Sequence, residues 1–94
     1  MIKSFLDKET REVFITGKCK SLPTAVCKTA RRKLFLLDKA KTLSDLKAPP
    51  GNKLEALKGN LKGFYSIRIN KQYRIIFRFE NGNAYDVAIV DYHK

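Results

Sequence analysis

Three arginines, Arg68, Arg74 and Arg78, fall in the second half of a chain whose last residues include Asp91, Tyr92 and His93. A guanidinium is planar, stays charged and can bind two phosphate oxygens at once. A phenol and an imidazole can position a substrate and move protons. Several guanidinium groups with a tyrosine hydroxyl near them suit a cradle for a phosphodiester. Other chemistries lack their parts. Cys19 and Cys27 form neither a CxxC pair nor a four-ligand set, and the single histidine, His93, cannot complete one. The same scarcity takes metal-assisted hydrolysis and a Cys-His nucleophile out of the leading options. Both cysteines are expected to be reduced, with Cys27 buried.

The elements that must position these groups belong to one domain, since 94 residues are too few for two. Hydrophobic residues make up 44% of the chain, enough apolar material for one core and too much for a disordered or fibrous class. Twenty Lys and Arg stand against nine Asp and Glu, a formal net charge of +11, with a pI near 9.9. The excess is spread over both halves, and such a surface attracts polyanions. A basic face that merely keeps a protein soluble, and an anionic membrane, are the bland alternatives. No apolar run reaches the length of a membrane span, and Met1 to Asp7 turn charged before any signal-peptide core could form. The expected location is the cytoplasm, with no membrane partner.

The hydrophobic period changes near the middle of the chain. After a short apolar start at Ile2 to Phe5, Asp7 can cap a first helix containing Arg11, Val13 and Phe14, and Gly17 can stop it. Ser21 and Pro23 mark the start of a second helix. In it Val26, Ala30, Leu34, Leu37 and Ala40 recur every three or four residues, placing Arg31, Arg32 and Lys33 mostly outside the apolar stripe. Leu43 to Leu46 can add one more turn before Pro49-Pro50 ends helix. Alternation then takes over. Leu54 and Leu57 bracket a first strand, Tyr65, Ile67 and Ile69 mark a second, Ile75, Phe77 and Phe79 a third, and Val87 and Ile89 a fourth. The breaks at Asn70-Lys71-Gln72 and Glu80-Asn81-Gly82-Asn83 are of hairpin length. Helices followed by antiparallel strands predict an α+β fold. If Ile75, Phe77 and Phe79 enter the core, Arg74 and Arg78 emerge on the other face, as does Arg68 beside Ile67 and Ile69. Asp86, Ala88, Val90 and Tyr92 should form a row on the last strand.

Several stretches in order carry a resemblance: Pro49-Pro50-Gly51-Asn52-Lys53-Leu54-Glu55, Leu57-Lys58-Gly59, Tyr65-Ser66-Ile67-Arg68-Ile69-Asn70, Gln72-Tyr73-Arg74-Ile75-Ile76-Phe77 and Val90-Asp91-Tyr92-His93. The start, Met1-Ile2-Lys3-Ser4-Phe5, and the stretch from Lys33-Leu34 to Leu37-Asp38 match as well. The chain resembles, over essentially its whole length, the HigB family of toxins. The resemblance implies a RelE-like domain, N-terminal helices on an antiparallel sheet of about four strands. It implies an enzyme that enters the ribosomal decoding site and cuts messenger RNA there without a metal or other cofactor. The RNA 2′-hydroxyl would attack the neighbouring phosphate, which requires removal of a proton, stabilisation of a dianionic phosphorane and protonation of the departing 5′-oxygen. By the same resemblance Arg74 stabilises the phosphate and Lys58 is a second electrostatic contact or proton donor. Tyr92 and His93 serve proton transfer and positioning, Asp91 orients them, and Lys53, Lys62, Arg68 and Arg78 contact RNA. The implied partners are the ribosome, its messenger RNA and a HigA-like helix-turn-helix antitoxin, the free toxin being a monomer.

The chain departs from the family pattern at three places. Glu55 stands where some relatives carry a catalytic histidine, and a carboxylate suits a proton acceptor better than a donor. Tyr73 replaces the usual tryptophan before the arginine, and His93 is followed by Lys94. Each charged group alone reads equally well as solvated surface; their joint order favours the nuclease. The rivals are a ParE-like toxin acting on DNA gyrase, which needs no acid-base residues, and a plain RNA-binding module. The second is disfavoured because Phe77 and Phe79 are placed for the core and leave no row for base stacking.

Overall fold

In the computed structural model, which describes residues 1–92, α1 (Lys8–Thr16) begins where the Asp7 carboxylate accepts the Thr10 amide at 2.6 Å. An N-cap of this kind satisfies an amide that the first turn leaves without a partner. Gly17 ends the helix in the left-handed region at φ 78°, its N–H donating to the Val13 carbonyl. The turn that follows is tied to α1 by Glu9. Its carboxylate accepts from the Ser21 amide, the Ser21 hydroxyl and the Lys20 amide, and these bonds, the Ser21 amide first, hold it below the usual glutamate range.

The turn also brings Cys19 and Cys27 together, with Cα atoms 6.1 Å apart and the sulfurs joined in a disulfide. That corrects the expectation of two reduced thiols. Eight residues of separation hide the pairing in the sequence, and the reversal after Gly17 brings the backbones to bonding distance. Cys27 is buried, as expected.

Helix α2 (Thr24–Lys39) buries Val26, Ala30, Leu34 and Leu37, and Ala40 closes the stripe. Lys33 does not lie outside it: only 5% of the residue is exposed. Positions 26, 30, 33 and 37 lie on one helical face, so the period assigns Lys33 inward although its charge argues for solvent. Arg32 is exposed and Arg31 half-buried. Beyond α2, 3-10 turns at Leu43–Lys47 and Pro50–Asn52 carry the chain through Pro49 to the sheet.

Four strands, β1 (Glu55–Ala56), β2 (Tyr65–Arg68), β3 (Tyr73–Glu80) and β4 (Asn83–Asp91), pair antiparallel in sequence order. Asn81 and Gly82, at φ 52° and 79°, make the two-residue turn between β3 and β4 that the Asn-Gly pair signals. The Asn70 side chain caps the preceding hairpin by accepting from the Gln72 and Tyr73 amides. The N-terminal segment lies parallel along β4, bridging Ile2 to Ala84 and Phe5 to Val87. Register shifts between the pairs Ile76↔Ala88 and Arg78↔Tyr85, leaving two residues of β4 opposite Phe77, and Asp86 at this bulge has φ 53°.

The helices cover one face of the sheet, where Ile67, Ile75, Phe77, Ala84 and Val87 meet Val13 and the α2 stripe. The other face carries a smaller apolar floor of Phe64, Ile76 and Ala88, against which Leu57, Leu61 and Val90 pack. Among the described residues no helix is long and apolar enough to cross a membrane.

Candidate active site on the open face of the sheet

Arg74 lies in β3 on the face away from the helices, yet it is 8% exposed and not the solvated side chain that strand alternation alone suggests. Its Nε donates to the Ser66 hydroxyl at 2.8 Å and its Nη2 to the Lys53 carbonyl at 2.6 Å. The same Nη2 lies 3.2 Å from Glu55 Oε1, and the Tyr92 ring lies 5.6 Å from the guanidinium carbon. Strand pairing explains the convergence. Glu55 on β1 faces Ser66 on β2, which faces Ile76 on β3, so these positions share one side of the sheet. With Nε and Nη2 committed, the guanidinium plane is fixed, and Nη1 makes no bond to a described residue. The arrangement can present one oriented cationic edge to an incoming oxyanion, next to a carboxylate whose side chain is 57% exposed and a half-exposed phenol.

The other residues singled out in the sequence lie at varied distances from this centre. Lys58 and Lys62 are exposed and bracket the 3-10 turn Gly59–Leu61, whose Leu61 packs on the open-face floor. Lys53 is exposed in the left-handed region at φ 43°, and its carbonyl, not its ammonium, meets Arg74. Arg68 donates to the Asn70 carbonyl at the start of the β2–β3 turn. Arg78 sits 4.4 Å from the Phe64 ring centre and pairs with Asp86 at 3.4 Å. Asp91 does not join the group around Arg74. It pairs with Tyr73 in register and accepts from the Gln72 amide side chain at 3.1 Å. Gln72 in turn accepts the Tyr92 amide through its carbonyl, so Gln72 links Asp91 to Tyr92. His93 lies outside the described residues.

Ser66 and Gln72 were not singled out in the sequence. Ser66 had a signal, since period two puts it on Arg74's face, and a fully buried hydroxyl beside an arginine needs a partner. Among the described residues no group of three His, Cys, Asp or Glu side chains is arranged to hold a metal.

Residues 3–93 match the family described as the HigB-like toxin, RelE-like toxin of type II toxin-antitoxin system HigB. Toxin HigB-1 of Vibrio cholerae is 44% identical over 95 residues, an alignment covering 100% of this chain and 99% of the relative. Endoribonuclease HigB of Proteus vulgaris is 34% identical over 93 residues, covering 99% and 100%. The fold matches a chain in the YoeB-YefM complex from Staphylococcus aureus with a TM-score of 0.62 at 21% identity, over 100% of this chain and 99% of that one. Helices on a four-stranded antiparallel sheet, the ordered motifs and these full-length matches lead to one conclusion: the chain belongs to the family of HigB-like toxins of type II toxin–antitoxin systems.

Proposed function

We propose that the protein is a ribosome-dependent endoribonuclease that cuts messenger RNA in the cytoplasm and is silenced by a HigA-like antitoxin. The observation that carries this reading is the Arg74 guanidinium, fixed by Ser66 and the Lys53 carbonyl between Glu55 and Tyr92 on a chain of net charge +11. The name of the Proteus vulgaris relative, an endoribonuclease, and the solved complex of the Staphylococcus aureus neighbour with YefM support the two halves of the proposal.

In the proposed reaction the 2′-oxygen forms a bond to phosphorus, the bond from phosphorus to the 5′-oxygen breaks, and the products carry a 2′,3′-cyclic phosphate and a 5′-hydroxyl. Arg74 stabilises the developing charge, a role for which a pre-oriented donor needs no reorganisation. RNA phosphate displaces Glu55 from Arg74, which frees the carboxylate to accept the 2′-hydroxyl proton. Tyr92 and His93 position the substrate and return a proton to the 5′-oxygen, with Lys58 as a second cation or donor. Asp91 orients the end of β4 through Gln72. Lys53, Lys62, Arg68 and Arg78 hold neighbouring phosphates. No step needs a metal.

The test is to induce the wild-type chain, Arg74→Ala and Tyr92→Phe in cells and to map new messenger RNA 5′ ends against the reading frame. In-frame cuts that disappear in the variants are expected. Growth arrest with intact messages and stalled replication would overturn the reading in favour of a gyrase poison.

A further inference from the structure

We infer that Lys33, on α2 and outside the catalytic group, is a positioning residue that sets Arg74 through the loop between α2 and β1. Its ammonium donates to Asn52 Oδ1, and Asn52 is fully buried. The Asn52 amide group then spans the loop, donating to the Leu46 and Ala48 carbonyls at 3.1 Å each. The next residue, Lys53, is held at φ 43° with its amide on the Pro50 carbonyl, and this conformation aims the Lys53 carbonyl at Arg74 Nη2. The chain of contacts therefore runs without interruption from the helix layer, through one loop, to the guanidinium on the far face of the sheet.

The expense of the arrangement argues that it does more than fill space. Burial holds Lys33 below its ordinary lysine value, with Arg32 adding to the effect. No carboxylate among the described residues lies within ion-pair distance of its ammonium. A leucine at this position of the stripe would avoid the desolvation, but it would leave Asn52 Oδ1 a buried acceptor without a donor. Asn52 also matches this task by type, because its side chain offers one acceptor to Lys33 and two donors to the loop carbonyls. Lys33 thus acts on Arg74 by keeping one carbonyl in place.

The inference rests on the nuclease reading for its consequence but not for its geometry, so its test has an arm without RNA. Lys33→Met and Asn52→Asp are compared with Val26→Ala, a neighbour on the α2 stripe. Urea unfolding first establishes conditions in which each is fully folded. The Nε–H resonance of Arg74 is then read by NMR and message cleavage is measured on programmed ribosomes. In Lys33→Met the Arg74 resonance is expected to shift and broaden and cleavage to fall about 10²-fold, the scale for displacing a reacting group by roughly 1 Å. Val26→Ala should change neither. Asn52→Asp keeps an acceptor for Lys33 and removes the two donors, and it should disturb the resonance too. Thus a Lys33→Met chain that does not fold leaves the test standing. An unmoved resonance in either loop variant, or an equal shift in Val26→Ala, overturns the proposal. Absence of cleavage by the wild type would instead remove the nuclease reading and leave the resonance to decide the positioning.

Discussion

The two faces of the sheet are built from the same alternating strands and use that alternation for opposite ends. On the helix side Ile67, Ile75, Phe77, Ala84 and Val87 are all fully buried, and α1 and α2 close over them. On the open side, among the described residues, only Phe64, Ile76 and Ala88 are buried apolar residues, and Arg74 is held among polar partners beside them. One face gains its free energy by excluding water; the other uses a thin apolar floor to keep charged groups still. Stability and chemistry are therefore separable by choosing adjacent residues of one strand.

The largest effect is expected from Phe77→Ala, which empties the centre of the helix-side core. It should cost about 3–5 kcal/mol, a large part of a small domain's stability, and urea unfolding will show whether the chain still folds. Arg74→Ala should separate the faces most cleanly. Cleavage on programmed ribosomes should fall about 10²–10³-fold, while the unfolding midpoint moves less than in Phe77→Ala; an equal loss of stability would show that the open face is structural too. Replacing Cys19 and Cys27 together with alanine should cost about 2–3 kcal/mol by loosening the unfolded chain's closed loop. Cleavage per folded molecule should be unchanged, because the disulfide lies on the helix side.

The smallest expected effect concerns pH. Lys33 is held below the ordinary lysine value of 10.5, chiefly by burial. In the window between its folded value and 10.5 the unfolded state binds more protons, so this group's contribution raises stability as pH rises. The difference in unfolding free energy between wild type and Lys33→Met should shift in favour of the wild type over that window. A difference that stays flat would mean the buried ammonium is not desolvated.

The same contrast marks what could be read in the residues. Local signals were legible: the Asp7 cap, the Gly17 stop, the stripe from Val26 to Ala40, the Asn81-Gly82 turn and the inward run of Ile75 and Phe77 each depend on neighbours within a few positions. The misses depend on partners far along the chain. For Lys33 charge argues outward against the helical period, and its distant acceptor Asn52 explains why it turns inward. The Cys19–Cys27 bond depends on the path of a turn. The open-face floor needs Phe64, Ile76 and Ala88 to meet across three strands or loops. In the site, Arg74, its face and the presence of Ser66 on that face are legible from alternation, whereas the Ser66 and Lys53-carbonyl bonds to the guanidinium are not, since neither a small hydroxyl nor a backbone oxygen advertises its partner. Asp91 follows Ile89 by two positions and shares its side of β4, a parity the terminal motif obscured.

The N-terminal segment has a further consequence for how the protein is made. Its backbone exchanges hydrogen bonds with Ala84 and Val87, so this segment cannot dock until β4 has been synthesised. The helices meanwhile have only part of their apolar cover, because β3 and β4 supply the centre of the core. Tyr92, which completes the Arg74 cluster, directly follows β4. A nascent chain that still lacks β4 and Tyr92 thus has neither its closed core nor its finished site, and the order of synthesis itself delays both until β4 has emerged.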